Sequence, residues 1–158
     1  MHEPDQLFRN LGNGAFEDIT ARAGRALALS EVGRGTAVGD IDNDGDPDVL
    51  VGNNNGRARL LINVVGNRKH WIGLHLSSGE HDVIGARVGV TSSDGAVRWR
   101  RARADGSYAS ANDPRVLVGL GSASQVSGVE VIWPDGRRER WANVPVDRWT
   151  TLGKGTGQ

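Results

Sequence analysis

Residues 39–52 read GDIDNDGDPDVLVG and place an aspartate at every second position from 40 to 48. Left alone, these carboxylates repel one another and favour an expanded loop, because like charges are crowded into one short stretch. The chain as a whole has a formal net charge of zero, with 19 basic and 19 acidic residues. A local excess of negative charge in a neutral chain predicts that a cation offsets it.

The spacing of the aspartates suits a hard divalent cation. Ligand side chains at loop positions 1, 3 and 5, followed by glycine at 6, wrap carboxylate oxygens around Ca²⁺, and Gly45 lets the chain double back. All-oxygen ligation favours Ca²⁺ over zinc or copper. The predicted ligands are Asp40, Asp42, Asp44, Asp46 through its main-chain carbonyl, and Asp48.

The loop differs from an EF-hand. Its twelfth position is Val51, where an EF-hand has a bidentate glutamate, and the flanking segments TAVG and VLVG have strand character. Pro47 also biases the preceding residue towards an extended conformation. With no histidine nearby and little room left for an activated water, we expect a structural ion in a loop between two strands.

Composition excludes several classes of protein. Balanced charge argues against wholesale binding to nucleic acid or to an anionic membrane. Cysteine is absent, so neither a disulfide framework nor a thiolate site is expected. No apolar run approaches the length of a membrane span, and MHEPDQLFRN at the start lacks the features of a secretory signal.

Short segments with strand character predict an all-β fold. Six Asp-Gly or Asn-Gly pairs separate them, and such pairs favour tight hairpins. The Ala-rich segment 18–29, interrupted by Gly24, predicts at most one short helix. Alternation predicts two strands, each with an apolar face: one is formed by Val129, Val131 and Trp133, the other by Val116, Val118 and Leu120.

The chain divides near residues 65–67, where aspartate clusters stop and Trp and Arg become frequent. LFRN at 7–10 and LLIN at 60–63 form a weak internal repeat, with the spacing of a four-stranded unit. We therefore predict one propeller-blade-like unit and the tail of another over residues 1–65, then a β-sandwich over residues 66–158.

These motifs resemble two known families. LFRNLGNGAFEDIT and GTAVGDIDNDGDPDVLVGNNNG resemble an FG-GAP/VCBS-type repeat, whose DxDxDG loop binds Ca²⁺. IGARVGV, GSYASANDPRVLVGLG and VEVIWPDGRRERWANVPVDRWTTL resemble the ASPIC/UnbV domain. The pair is the C-terminal arrangement of cartilage-acidic-protein-like extracellular proteins. The resemblance implies calcium binding and protein or carbohydrate partners outside the cell.

Members of that family usually carry several repeats, and a propeller closes with about 4–8 blades. We therefore expect either a fragment of a larger exported protein or a lone blade that packs on the sandwich. An isolated small sheet is only marginally stable in water, and an exposed edge could recruit a second copy of the chain.

Three other groups of residues are candidate sites. The arginines of segment 98–103 could bind acidic polysaccharide or phosphate, although their stems covering a sheet face is the favoured interpretation. His70, His75 and His81 match no zinc template. Segment 106–113 ranks first among possible partner surfaces, although a turn in which its hydroxyl groups satisfy the backbone is the expected role. Its hydroxyl and carboxyl residues are Ser107, Tyr108, Ser110 and Asp113.

The sequence thus favours a non-catalytic, calcium-stabilised recognition or adhesion module of an extracellular or cell-surface protein. One alternative is a calcium-dependent carbohydrate-active or cyclase-type enzyme, with its site around Tyr108, Asp113 and the arginines. Another is a purely structural propeller cap that has no ligand. No nucleic-acid partner and no membrane span are expected.

Overall fold

The computed structural model describes residues 2–158, a range that contains strands and short 3-10 turns and no α-helix. The all-β prediction is therefore confirmed. The first seven strands are β1 (Glu3–Pro4), β2 (Phe8–Asn10), β3 (Phe16–Asp18), β4 (Ser30–Glu31), β5 (Gly33–Gly39), β6 (Asp48–Asn53) and β7 (Arg59–Leu61). The antiparallel strands β5, β6 and β7 form one sheet, here called the blade sheet, while β1 pairs with β4 and β2 with β3.

The single short helix allowed for residues 18–29 is replaced by two 3-10 turns, at Thr20–Arg22 and Arg25–Ala28. Between them Gly24 has a φ of 102°. A left-handed residue at this point stops a right-handed helix from continuing across the segment. Helix propensity from the alanines is too weak to override that break.

The remaining eight strands form a sandwich. They are β8 (His70–Ser78), β9 (His81–Asp82), β10 (Arg87–Ser92), β11 (Val97–Arg101), β12 (Val116–Gly121), β13 (Val126–Ile132), β14 (Arg138–Trp141) and β15 (Trp149–Gly153). One sheet has the order β11-β10-β13-β14, and the other has the order β12-β8-β15 with β9 added to β8. β15 runs parallel to β8, and the other pairs are antiparallel.

The hydrophobic core lies between these two sheets. Both predicted faces are confirmed, since the six alternating residues at 116–120 and 129–133 are all buried. Ile72 and Leu74 on β8 and Val88 and Val90 on β10 belong to one buried cluster, and all four are inaccessible to solvent. Burial of each such side chain contributes about 1.5–3 kcal/mol to folding, so the sandwich holds most of the apolar stabilisation.

The blade sheet instead leaves apolar side chains exposed. Leu50 and Leu60 lie opposite each other in β6 and β7 and are 41% and 49% exposed. Ile62, two residues beyond Leu60, is 44% exposed. Nothing among residues 2–158 covers this row. The division at residues 65 and 66 remains a prediction; it falls just before a 3-10 turn at Gly66–Arg68 that leads into β8.

Candidate metal centre

The aspartate loop joins β5 to β6. The two strands are in register up to the pair Gly39 and Asp48, so the intervening residues must turn back within a short span. Asn43 and Gly45 make this possible, with φ values of 61° and 95° in the left-handed region. Asparagine and glycine adopt that region more readily than other residues do. The aspartate loop therefore connects two strands, as the sequence predicts.

Three of the predicted ligands converge. Asp40, Asp42 and Asp48 each offer a carboxylate oxygen, and these oxygens all lie within 4.8 Å of one another. Ca²⁺ binds oxygen at about 2.3–2.6 Å, so two ligands of one ion are separated by at most about 5 Å. Asp40 and Asp48 are buried and Asp42 is exposed, so the cluster opens to solvent on one side. Its donor set fits a hard cation.

Main-chain donors orient the two buried carboxylates. Asp40 accepts hydrogen bonds of 3.0 Å from the N–H groups of Asp44 and Gly45. Asp48 accepts bonds of 2.9 Å from the N–H groups of Ile41 and Asn63. Each carboxylate keeps further lone pairs, because an ionised carboxylate offers about four acceptor positions. The loop backbone therefore holds these groups in place while leaving them able to bind an ion.

Asp44 and Asp46 direct their carboxylates elsewhere. Asp44 accepts from the main-chain N–H of Asp46 at 3.1 Å and from Asn67 Nδ2 at 2.5 Å. Asp46 accepts from the main-chain N–H of Asn67 at 3.0 Å through Oδ2, and its buried Oδ1 has no partner among residues 2–158. Ligation by the Asp44 side chain and by the Asp46 carbonyl stays a prediction. The orphaned oxygen marks uncompensated negative charge inside the loop.

The pKa shifts of two loop carboxyls also indicate uncompensated negative charge. Burial raises the pKa of the Asp46 carboxyl above its ordinary value, and the charge of Asp44 adds to the rise. Desolvation within the loop raises the pKa of Asp42, and Asp44 again adds to it. Both shifts have the direction expected when carboxylates crowd together without a cation. A bound divalent ion would remove this penalty.

Three residues of the sandwich contact the same loop. Trp149 Nε1 at the start of β15 donates to Asp40 Oδ2 at 3.1 Å. Arg115, just before β12, donates to the Asp40 carbonyl at 2.8 Å and to Asn43 Oδ1 at 2.7 Å. Gly45 lies against the Trp71 ring so closely that a Cβ there would sit 2.0 Å from its Nε1. Sequence reasoning missed these three sandwich residues, because no local pattern relates them to the loop.

Segment 106–113 packs along β5. Asn112 Oδ1 accepts from the N–H of Val38 at 2.8 Å, and the N–H of Asp113 donates to the Val38 carbonyl at 2.9 Å. Ser107 Oγ accepts from the N–H of Thr36 at 3.2 Å, and Ser110 Oγ donates to the Thr36 carbonyl at 2.8 Å. The segment that ranked first as a partner surface thus covers an edge of the chain's own blade sheet.

These contacts also account for the groups suggested for an enzyme site. Asp113 pairs with Arg115 at 2.6 Å, and the two serine hydroxyls are bonded to β5. Tyr108 is 76% exposed. The hydroxyls therefore satisfy backbone groups, as the turn interpretation of this segment expected.

Two of the three candidate histidines pair with acids outside the aspartate loop. His70 Nδ1 lies 2.7 Å from Asp147 Oδ2, and His75 Nε2 lies 2.5 Å from Asp82 Oδ1. Burial opposes the lowering of the Asp147 pKa, but hydrogen bonds from His70 and from the N–H of Trp71 outweigh it. His81 is exposed in β9. The structure does not bring the three rings together at one centre.

The arginine-rich segment occupies β11 and the residues after it. Arg98 donates to Ser92 Oγ, and Arg100 donates to the carbonyl of Trp99 at 2.9 Å. Arg100, Arg101 and Arg103 line a cleft that also contains Arg115. Sequence reasoning found the cluster but had no means of placing it beside the aspartate loop.

Comparison with known families agrees with the fold and the loop. Residues 76–158 match the ASPIC and UnbV family, and residues 2–51 match the FG-GAP-like repeat. Because the first match covers more than half of the chain, the chain belongs to the ASPIC and UnbV family. Both resemblances inferred from the motifs are confirmed. FG-GAP-like repeats generally bind calcium, which agrees with the acidic cluster described above.

Three curated relatives share part of the chain. Cartilage acidic protein 1 of Mus musculus is 41% identical over 66 residues, which is 42% of this chain and 10% of the relative. The Xenopus tropicalis protein of that name is 39% identical over the same length and with the same coverage. The Homo sapiens protein is 42% identical over 59 residues, 37% of this chain and 9% of the relative. The matched region therefore spans about a tenth of these relatives.

The domain combination points to an extracellular-type, non-enzymatic module. Within residues 2–158, no helix has the length and apolar character needed to cross a membrane.

Proposed function

We propose that this chain is a calcium-binding, non-catalytic recognition or adhesion module of an extracellular or cell-surface protein. The observation that carries the proposal is the convergence of Asp40, Asp42 and Asp48 in a loop that is hydrogen-bonded to the sandwich. The proposed ion has the predicted ligands, with Asp44 and the Asp46 carbonyl completing the shell. The partner is a protein or a carbohydrate.

Calcium suits this loop better than magnesium. Mg²⁺ demands near-octahedral geometry at about 2.0–2.1 Å and gives up its water reluctantly, whereas Ca²⁺ accepts six to eight oxygens in irregular arrangements. The aspartate loop offers carboxylates fixed by main-chain hydrogen bonds, one of them facing solvent. Bound Ca²⁺ would supply the two positive charges that offset the crowded carboxylates.

The aspartate loop is hydrogen-bonded to the sandwich, so an ion that fixes the loop also fixes this contact. Asp40 is bonded to Trp149 of the sandwich, and its own carbonyl accepts from Arg115. Asn67, just before β8, donates hydrogen bonds to Asp44 and Asp46. A loop held in one conformation therefore keeps the blade sheet docked on the sandwich. Bound calcium would thus fix how the surfaces of the blade sheet and the sandwich are arranged. A recognition module needs its binding surfaces held in a fixed arrangement.

The contacts of the candidate catalytic residues agree with a non-catalytic role. The candidate nucleophiles Ser107 and Ser110 bond to the backbone of β5, and the candidate base Asp113 is paired with Arg115. A nucleophile needs an adjacent base to be activated. Here the hydroxyls and the acid instead join two parts of the fold.

The test is a thermal melt of the chain in EDTA, repeated with millimolar CaCl₂ and separately with millimolar MgCl₂. A ligand that binds only the folded state stabilises it by about 2.7 kcal/mol at a hundred times its Kd. We expect a rise in Tm that is several degrees larger with calcium than with magnesium. The same Tm in all three buffers would overturn calcium binding.

A second candidate function, the structural propeller cap, is favoured by the uncovered apolar row on the blade sheet. An apolar surface of this kind is a site of association. Under this candidate the chain associates through Leu50 and Leu60, and replacement of both leucines by serine yields monomers in sedimentation experiments. Monomeric behaviour of the unmodified chain at high concentration would overturn it.

A further inference from the structure

A cleft of about 290 Å³ lies beside the aspartate loop, where the blade sheet meets the sandwich. Its lining includes Arg100, Arg101 and Arg103, together with Arg115 and Asp113. Asp40 is part of both the cleft and the aspartate loop. The cleft therefore combines residues from the two halves of the chain, and neither half forms it alone.

The cleft has an excess of positive charge. Its lining contains four arginines and two aspartates, which leaves two positive charges unbalanced. Arg115 is paired with Asp113. Among residues 2–158, no carboxylate forms an ion pair with Arg100, Arg101 or Arg103. A concave surface with a net positive charge attracts anions.

Covering one sheet face does not account for the whole arginine segment. Consecutive side chains leave opposite faces of β11, yet Arg100, Arg101 and Arg103 all line the cleft. All three are exposed. Their charges are therefore not sequestered against apolar surface and are available to a ligand.

From these features we infer that the cleft binds an acidic sugar, a saccharide that carries carboxylate or sulfate groups. Guanidinium groups match such oxyanions with two parallel hydrogen bonds. Pro47 and Leu117 offer apolar surface for the carbon faces of a ring. This inference deepens the proposed recognition function and rests on it for the expectation of an extracellular partner.

A nucleic acid fits the cleft less well. Single strands are bound by stacking their bases on exposed aromatic rings. The only ring in the described lining is Trp149, and the Arg115 guanidinium covers it at 3.9 Å from the ring centroid. The chain also lacks the net positive charge that such binding requires. The observations therefore favour a sugar with a few charges.

The experiment is calorimetric titration of the chain with tetragalacturonate, a heparin-derived tetrasaccharide, neutral maltotetraose and an octathymidylate. The cleft variant is R101S/R103S, which removes two exposed charges. The matched control is R25S/R57S, which removes two charges from the surface of residues 2–65. We expect one or both acidic tetrasaccharides to bind and maltotetraose not to bind. The cleft variant should bind at least tenfold more weakly, with no change in the control.

The two acidic probes distinguish carboxylate from sulfate recognition. The inference is overturned if neither acidic tetrasaccharide binds, if the control loses as much affinity as the cleft variant, or if the octathymidylate binds as tightly as the sugars. Calcium affinity is measured on the same samples. Sugar binding without calcium binding would overturn the calcium site alone, and calcium binding without sugar binding would overturn this inference alone. Melting curves of each variant establish that it is folded.

Discussion

The indole nitrogen of Trp149 donates a hydrogen bond of 3.1 Å to Oδ2 of Asp40, a residue 109 positions earlier in the chain. The contact joins the last strand of the sandwich to the first predicted ligand of the aspartate loop. Arg115 lies over the same ring at 3.9 Å from its centroid and also holds the Asp40 carbonyl. The predicted metal centre therefore lies where the blade sheet contacts the sandwich, and Asp40 belongs to both the centre and the contact.

Replacing Trp149 by Phe removes the donor and keeps an aromatic ring beneath Arg115. A hydrogen bond to a charged group contributes about 1.5–3 kcal/mol, and the free energy of unfolding should fall by about that amount in denaturant titrations. Calcium affinity should weaken about tenfold, because groups that orient a ligand commonly contribute that much. Trp99→Phe is the control, since that indole lies on the outer sheet face. Equal effects of the two changes would show that the bond to Asp40 has no special role.

Asp42→Asn should have opposite effects on stability in the presence and absence of calcium. Without metal, the variant loses a carboxylate whose pKa is raised by desolvation and by neighbouring charges, so its Tm in EDTA should exceed that of the parent chain. With calcium, it loses a ligand and should bind the ion at least about tenfold more weakly, or about 1.4 kcal/mol. The measurements are paired melts and a calcium titration.

Asp94→Asn is the matched control, because that exposed aspartate accepts a turn hydrogen bond that asparagine can also accept. It should change neither measurement. Unchanged calcium affinity in Asp42→Asn would show that the ligand assignment is wrong.

Gly45→Ala should be strongly destabilising. The residue has a φ of 95°, and its new Cβ would lie 2.0 Å from Trp71 Nε1. Left-handed backbone costs about 1–2 kcal/mol for a residue with a Cβ, and overpacking adds about 1–3 kcal/mol. Gly14→Ala has a similar φ of 82° with nothing within 4 Å, so it isolates the backbone cost. Denaturant unfolding should show the larger loss at Gly45, and equal losses would argue against close packing on Trp71.

Glu31→Gln should show a pH-dependent loss of stability. Arg59 donates to Glu31 from Nε, at 3.1 Å and 2.9 Å, and from Nη2, at 2.6 Å, and these hydrogen bonds lower the pKa of that carboxyl. A lowered pKa stabilises the fold above the pKa of the unfolded chain, and this contribution is lost as the pH falls through the folded-state pKa. The variant should therefore be less stable than the parent near pH 7, and the difference should shrink towards pH 3.

Denaturant titrations across that range, in calcium-free buffer, measure the difference. Glu80→Gln replaces an exposed glutamate in the turn after β8 and should differ little from the parent at any pH. A difference between Glu31→Gln and the parent that stays constant with pH would contradict an electrostatic origin.

Several features were predictable because their causes are local. The alternation at 129–133 and 116–120 specifies strands with one buried face, since successive side chains point to opposite sides. The spacing of the aspartates specifies a loop that gathers oxygens, and residues 40, 42 and 48 do converge. At 18–29 the alanines alone favour a helix, but the predicted interruption at Gly24 decides the outcome, since its φ of 102° limits the segment to two short 3-10 turns.

The surroundings of the loop could not be predicted in the same way. Trp71, Arg115 and Trp149 reach the aspartate loop from three separate parts of the sandwich. Asn112 and Asp113 reach β5 across more than 70 positions. Local pattern specifies which residues turn, alternate or carry charge, because those properties depend on near neighbours. Which distant residues meet depends on how two sheets stack and which edges remain open. The partners of the aspartate loop and the arginine cleft therefore exist only once the chain has folded.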